Sequence, residues 1–130
     1  MFDFSKVVLE DYKITVVEAK LKDIYNSGNC KRGRSTNETK RCGVYALFLN
    51  NELKKIGRAI TGNGIFTRMS QYYRQDCGIK QITDQNKDEI LVRYFTLNSR
   101  KDCWAAEKYL QAKAYYAGEK MPWDEEISEI

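Results

Sequence analysis

The run Cys42 to Leu49 (CGVYALFL) constrains the fold more than any other stretch of the chain. A strand with one face in water alternates apolar and polar residues. This one is apolar at successive positions and rich in strand formers, so it must be covered on both faces and lie in the middle of a sheet. Asn50-Asn51 is a turn signal, and Glu52 to Arg58 (ELKKIGR) is expected to return as a second strand. Glu89 to Leu97 (EILVRYFTL) is a further strongly apolar strand. Helices must supply the two covers. Ile65 to Gln75 reads as one, with Ile65, Phe66, Met69 and Tyr73 as its core stripe and Arg68 and Tyr72 together on a neighbouring face. The longest runs from about Arg100 to Ala117, with Ser99 and Asp102 in a capping arrangement and Gly118 as its stop.

The first 41 residues are less decisive. Val7 to Leu9 reads as a short strand. Val17, Leu21, Ile24 and Tyr25 fall near helical spacing, so Asp11 to Tyr25 is expected to form an amphipathic helix that ends at Ser27-Gly28-Asn29. Residues 30–41 (CKRGRSTNETKR) carry no periodicity and read as a loop. The expected architecture is α+β, a small mixed or antiparallel three-stranded sheet flanked by helices. An extension over 1–41 would precede the core over 42–118, and an acidic tail over 119–130 would follow it.

Charge and composition narrow the chemistry. The chain has 130 residues, 42% hydrophobic and 31% charged, the balance of a globular domain. No apolar run approaches the roughly 20 residues that span a bilayer. The start, Met1 to Ser5, lacks the basic end and apolar stretch of a secretory signal, so a cytoplasmic location is expected. The four cysteines (Cys30, Cys42, Cys77, Cys103) are widely spaced, without the paired ligands of a structural zinc site. There is no histidine. That excludes Ser-His and Cys-His nucleophile pairs and histidine-based metal sites, leaving Tyr, Lys, Glu, Asp or Cys for any proton transfer. The net charge of +4 is unevenly spread. Lys31, Arg32, Arg34, Lys40 and Arg41 crowd a segment that holds only Glu38 in opposition, which fits a polyanionic partner.

From Gly43 onward the chain resembles the GIY-YIG nuclease family. Gly43-Val44-Tyr45 stands where that family has Gly-Ile-Tyr, and Lys55-Ile56-Gly57 where it has Tyr-Ile-Gly. Ten positions separate Tyr45 from Lys55, as suits a hairpin. Arg68 follows on the next helix and Glu107 on a later one, as the family's arginine and metal-binding glutamate do. The resemblance covers residues 42–118. Lys55 replaces the second motif tyrosine, as in certain restriction enzymes of the family. The supporting asparagine that many members place after the glutamate helix has no match near Gly118.

The resemblance implies an endonuclease that hydrolyses phosphodiester bonds in double-stranded DNA with Mg²⁺ or Mn²⁺, restriction-like or mobile-element-like, acting as a homodimer if it cuts both strands. Its alternative is a domain of the same shape that binds DNA or protein without cutting. The implied catalytic residues are Tyr45, Lys55, Arg68, Tyr72 and Glu107, with Glu107 as the metal ligand. Phosphate chemistry suits these types. Arg68 offers a planar, permanently charged fork of donors. Glu107, on a helical stripe with Cys103, Trp104, Leu110 and Ala114, offers a carboxylate oxygen, and Mg²⁺ needs few of these because it keeps water and takes substrate phosphate. Tyr72 has a hydroxyl for the phosphate or the attacking water. If the hairpin register makes Tyr45 and Lys55 neighbours, the ammonium would favour phenolate, a general base in a chain without histidine. DNA contacts are expected from Lys31, Arg32, Arg34, Lys40 and Arg41. For Arg58 a phosphate contact and a supporting role are both open.

Overall fold

A computed structural model describes residues 2–9, 12–28, 39–76 and 79–124. Among them the order is β1 (Val17–Lys20), α1 (Leu21–Gly28), β2 (Gly43–Leu49), β3 (Glu52–Ala59), α2 (Ile65–Arg74), β4 (Leu91–Thr96) and α3 (Arg100–Tyr116). The strands form one antiparallel sheet in the order β1-β4-β2-β3. The class is α+β as expected, but the sheet has four strands rather than three. The added one is β1, inside the stretch read as helix. There Val17 and Ala19 are half-buried while Glu18 and Lys20 are exposed, a period of two, and the segment pairs with β4. Pairing with a neighbour overrode an apolar spacing that also fitted a helix. The helix starts only at Leu21, where Leu21 and Ile24 bury. Val7 to Leu9 forms no strand; Leu9 makes a single bridge to Tyr12.

Both faces of β2 are covered. Val44, Ala46 and Phe48 pack with Ile56, Phe95 and the α3 residues Cys103, Ala106, Leu110 and Ala114. Tyr45 and Leu47 face the other way, against Leu21 and Ile24 of α1 and Ile65, Met69 and Tyr72 of α2. The buried side of α2 is rotated from the expected stripe, with Phe66 and Tyr73 only half-buried and Tyr72 taken into the core. On α3 Trp104 turns outward, 52% exposed, and is not part of the buried stripe.

The β2–β3 hairpin sets up everything that follows. Asn50 and Asn51 both have positive φ (54° and 63°), the left-handed pair of a two-residue turn whose twist suits the strands. Leu49 pairs with Glu52 and Phe48 with Leu53, but Leu47 pairs with Lys55, so Lys54 is an extra residue. This bulge reverses the facing of the rest of β3. Without it Tyr45 would oppose Ile56; with it Tyr45 opposes Gly57, and Lys55 lies diagonally on the same face.

β3 is an edge strand, and its outward carbonyls would be a template for unwanted pairing. The segment after α3 seals them. The backbone N–H of Trp123 donates to Lys54 O at 2.9 Å, and the Gln111 side chain donates to Ile56 O at 2.8 Å. Thus β1 on one side and residues 121–124 on the other both pack on the 42–118 core. No helix among the described residues is long and apolar enough to cross a membrane.

Candidate active site

The site candidates gather along β3. The Tyr45 ring lies directly over Gly57. A Cβ there would stand 2.4 Å from the tyrosine hydroxyl, so the motif glycine is the space the ring occupies. The Tyr45 hydroxyl is buried and hydrogen-bonded to that of Tyr72, the rings meeting edge to face at 5.8 Å. Arg68 is half-buried one turn before Tyr72 on α2. The start of α2 is held by backbone alone: Ile65 N–H donates to Arg41 O at 3.1 Å and Phe66 N–H to Thr39 O at 2.7 Å. Gly64, at φ 58°, permits this approach, since a Cβ there would meet Arg41 O at 2.0 Å.

Glu107 reaches the same strand from α3. Its carboxylate is buried and pairs with Arg58 Nη1 at 2.6 Å, with Lys108 Nζ at 3.7 Å from the same oxygen. Arg58 is therefore a partner of the glutamate in this state, the supporting role left open above. Burial first, then Tyr72, push the Tyr45 phenol well above its ordinary value of 10.0; Glu107 adds to the rise and Arg68 opposes it. The expected lowering by Lys55 does not occur. Lys55 points its ammonium at Asp124, 3.9 Å away, and Tyr45 keeps Tyr72 as its partner. In this state Tyr45 holds its proton and is not a phenolate base.

Asp124 is the residue that sequence reasoning missed. It is buried, faces Lys55, and accepts from Gln111 Nε2 at 3.0 Å. In the sequence it is merely the first acid of a run with Glu125, Glu126 and Glu129. Gln111 did leave a trace, since it follows Glu107 by one turn of the same helix, on the buried side.

Of the expected DNA contacts, Lys31, Arg32 and Arg34 lie outside the described residues. Lys40 and Arg41 are exposed, and the Arg41 guanidinium donates to the side chain of Asn98. Cys42 and Cys103 are free thiols; burial pushes Cys103 up to about 12, which leaves it unreactive.

No group of three His, Cys, Asp or Glu side chains among the described residues is arranged to hold a metal ion. The donor set is the single carboxylate of Glu107. That fits Mg²⁺ only where water and a substrate phosphate complete the shell. A comparison with family models, curated proteins and solved structures finds no match to this chain.

Proposed function

We propose that the chain is a metal-dependent endonuclease of the GIY-YIG type acting on double-stranded DNA, with its centre between Arg68 and Glu107. The observation that carries this reading is the seating of Tyr45 on Gly57 with its hydroxyl bonded to that of Tyr72, one turn beyond Arg68 on α2. One buried phenol, seated on the motif glycine, feels both the Arg68 cation from α2 and the Glu107 anion from α3. Tyr45 lies on the α2 face of the sheet and Glu107 reaches Arg58 from the α3 side, so residues of both helices flank the same hairpin.

In this reading Arg68 binds the scissile phosphate, where charge grows in the transition state. Tyr72 and Tyr45 orient the phosphate or the attacking water through their shared hydroxyls. Arg58 is the exchangeable partner of Glu107, because 33% of its side chain is exposed and a phosphate can recruit it. Glu107 would then hold Mg²⁺ or Mn²⁺, which when bound supplies charge neutralisation and acidifies water. Lys55 acts at the rim of the site, tethered to Asp124. A unit of this size cutting both strands works as a homodimer in the cytoplasm.

Binding without hydrolysis is the second reading. It is favoured by the Arg58–Glu107 pair, which already compensates the carboxylate.

The test is purified protein on duplex DNA with Mg²⁺, with Mn²⁺ and with chelator, beside Glu107→Ala and Arg68→Ala. Metal-dependent cutting is expected, reduced about a hundredfold or more by either change. Binding on every substrate without cutting would establish the second reading. Equal cutting by wild type and Glu107→Ala would overturn the assignment of the site.

A further inference from the structure

The outward face of α3 carries a feature that the proposed chemistry does not use. Val8, Trp104, Tyr109, Tyr115 and Tyr116 are the exposed large hydrophobic residues among those described, and four of the five lie on this one helix. Isolated exposed apolar residues are ordinary; four on one helix are a surface with a purpose. At about 100° per residue, Trp104, Tyr115, Lys108 and Lys101 fall within a sector of about 60°, with Tyr109 and Tyr116 in the adjoining one. The acids of α3 lie outside the first of these sectors. Asp102, at the edge of the Tyr109 sector, accepts from the Tyr12 hydroxyl, and Glu107, towards the buried side, from Arg58, so the sector of Trp104, Tyr115, Lys108 and Lys101 itself holds rings and ammonium groups with no carboxylate among them.

We infer that this face binds single-stranded nucleic acid, with Trp104 and Tyr115 stacking on unpaired bases and Lys101 meeting the phosphates. Three partners compete for such a face. A protein interface would use the aromatics, but lysine is depleted at the cores of protein interfaces, and here lysines interleave the rings. A duplex would use the lysines but leave the rings idle, because its bases are already stacked on one another. Only an unpaired strand engages both, since every base has a π-face and every link a negative charge. By the rise of 1.5 Å per residue the two rings stand about 16 Å apart along the helix, so they serve bases some nucleotides apart on one strand. Lys108, in the same sector, has its Nζ 3.7 Å from Glu107, so the face runs without a break to the proposed site. The inference goes beyond the nuclease reading and stands without it.

Tryptophan emission reports the contact directly. Trp104 is 52% exposed whereas Trp123 is 8% exposed, so a stacked base quenches the first and not the second. The probe is a short oligo(dT), titrated in chelator so that no cutting occurs, beside a duplex of equal length. Quenching is expected on the single strand, with weaker binding to the duplex. Trp104→Ala with Tyr115→Ala should weaken single-strand binding at least about tenfold. Both positions are on the surface, and circular dichroism confirms that the fold persists. Absence of quenching, equal affinity for both probes, or binding that survives loss of the rings and falls only with Lys101→Glu would overturn the inference. So would a concentration-dependent dimer, seen by light scattering, that Trp104→Ala abolishes. If duplex cutting proceeds and fails in Glu107→Ala while oligo(dT) does not bind, this inference falls and the nuclease reading stands. If oligo(dT) binds and nothing is cut, the reverse holds.

Discussion

Glu107 and Asp124 are both buried carboxylates beside the same edge strand, yet they are held in different ways. Glu107 projects from the middle of α3 onto Arg58, a cation with a third of its side chain in water. Asp124 lies in the segment after α3, against a Lys55 side chain only 19% exposed and a Gln111 amide that is buried. The Asp124 cluster completes a seal. Gln111 and Trp123 satisfy carbonyls of β3, and Asp124 in turn satisfies Gln111. The Glu107 pair seals nothing and can be exchanged. A carboxylate with a replaceable partner suits ligand binding, whereas one locked into a hydrogen-bonded cluster suits stability.

The sharpest test of that contrast is Asp124→Ala. It leaves the Gln111 amide and the Lys55 ammonium short of a partner in a place that water barely reaches. A loss of about 2 kcal/mol is expected, several degrees in Tm, read from thermal or urea unfolding. Asp124→Asn, which keeps an acceptor for Gln111, should lose less. Glu107→Gln comes next and should cost under about 1 kcal/mol, because Arg58 turns to solvent. A larger cost for Glu107→Gln than for Asp124→Ala would break the comparison and make Glu107 the structural residue.

The last effect belongs to Tyr45 and is absent at neutral pH. Its folded pKa is raised, so the native state keeps a proton that the unfolded chain gives up above 10.0. Its contribution is fully present below that value and is lost as pH rises towards the folded pKa, at up to about 1.4 kcal/mol per pH unit. The stability of wild type should therefore fall faster than that of Tyr45→Phe above pH 10.0, as melts at stepped alkaline pH will report. Parallel curves would mean that the phenol is not held protonated as the burial implies.

Much of this was legible in order and pattern. The doubly apolar β2, the Asn50-Asn51 turn, the arginine helix and the capped glutamate helix all follow from periodicity and local backbone preference, which nearby residues determine. Glu107 could be picked out because a carboxylate among Cys103, Leu110 and Ala114 breaks a helical stripe. The two-residue turn on its own, however, would have put Lys55 on the wrong face of β3. The extra residue at Lys54 corrects it, and no composition marks that bulge. Asp124 was equally invisible, because its role depends on where a loop returns.

The chain by itself thus determined the β2–β3 hairpin, the apolar strand β4 and the helices α2 and α3, and that without histidine any proton must pass through groups such as tyrosine. Only the tertiary structure decided that Tyr45 sits on Gly57, that Lys55 answers to Asp124 rather than to Tyr45, and that the phenol keeps its proton. Patterning is a sum of local preferences, whereas register, burial and the pKa of a buried group depend on what distant residues place around it. The same division holds for α3. Its sequence announces a helix, but the fold alone turns Trp104 outward.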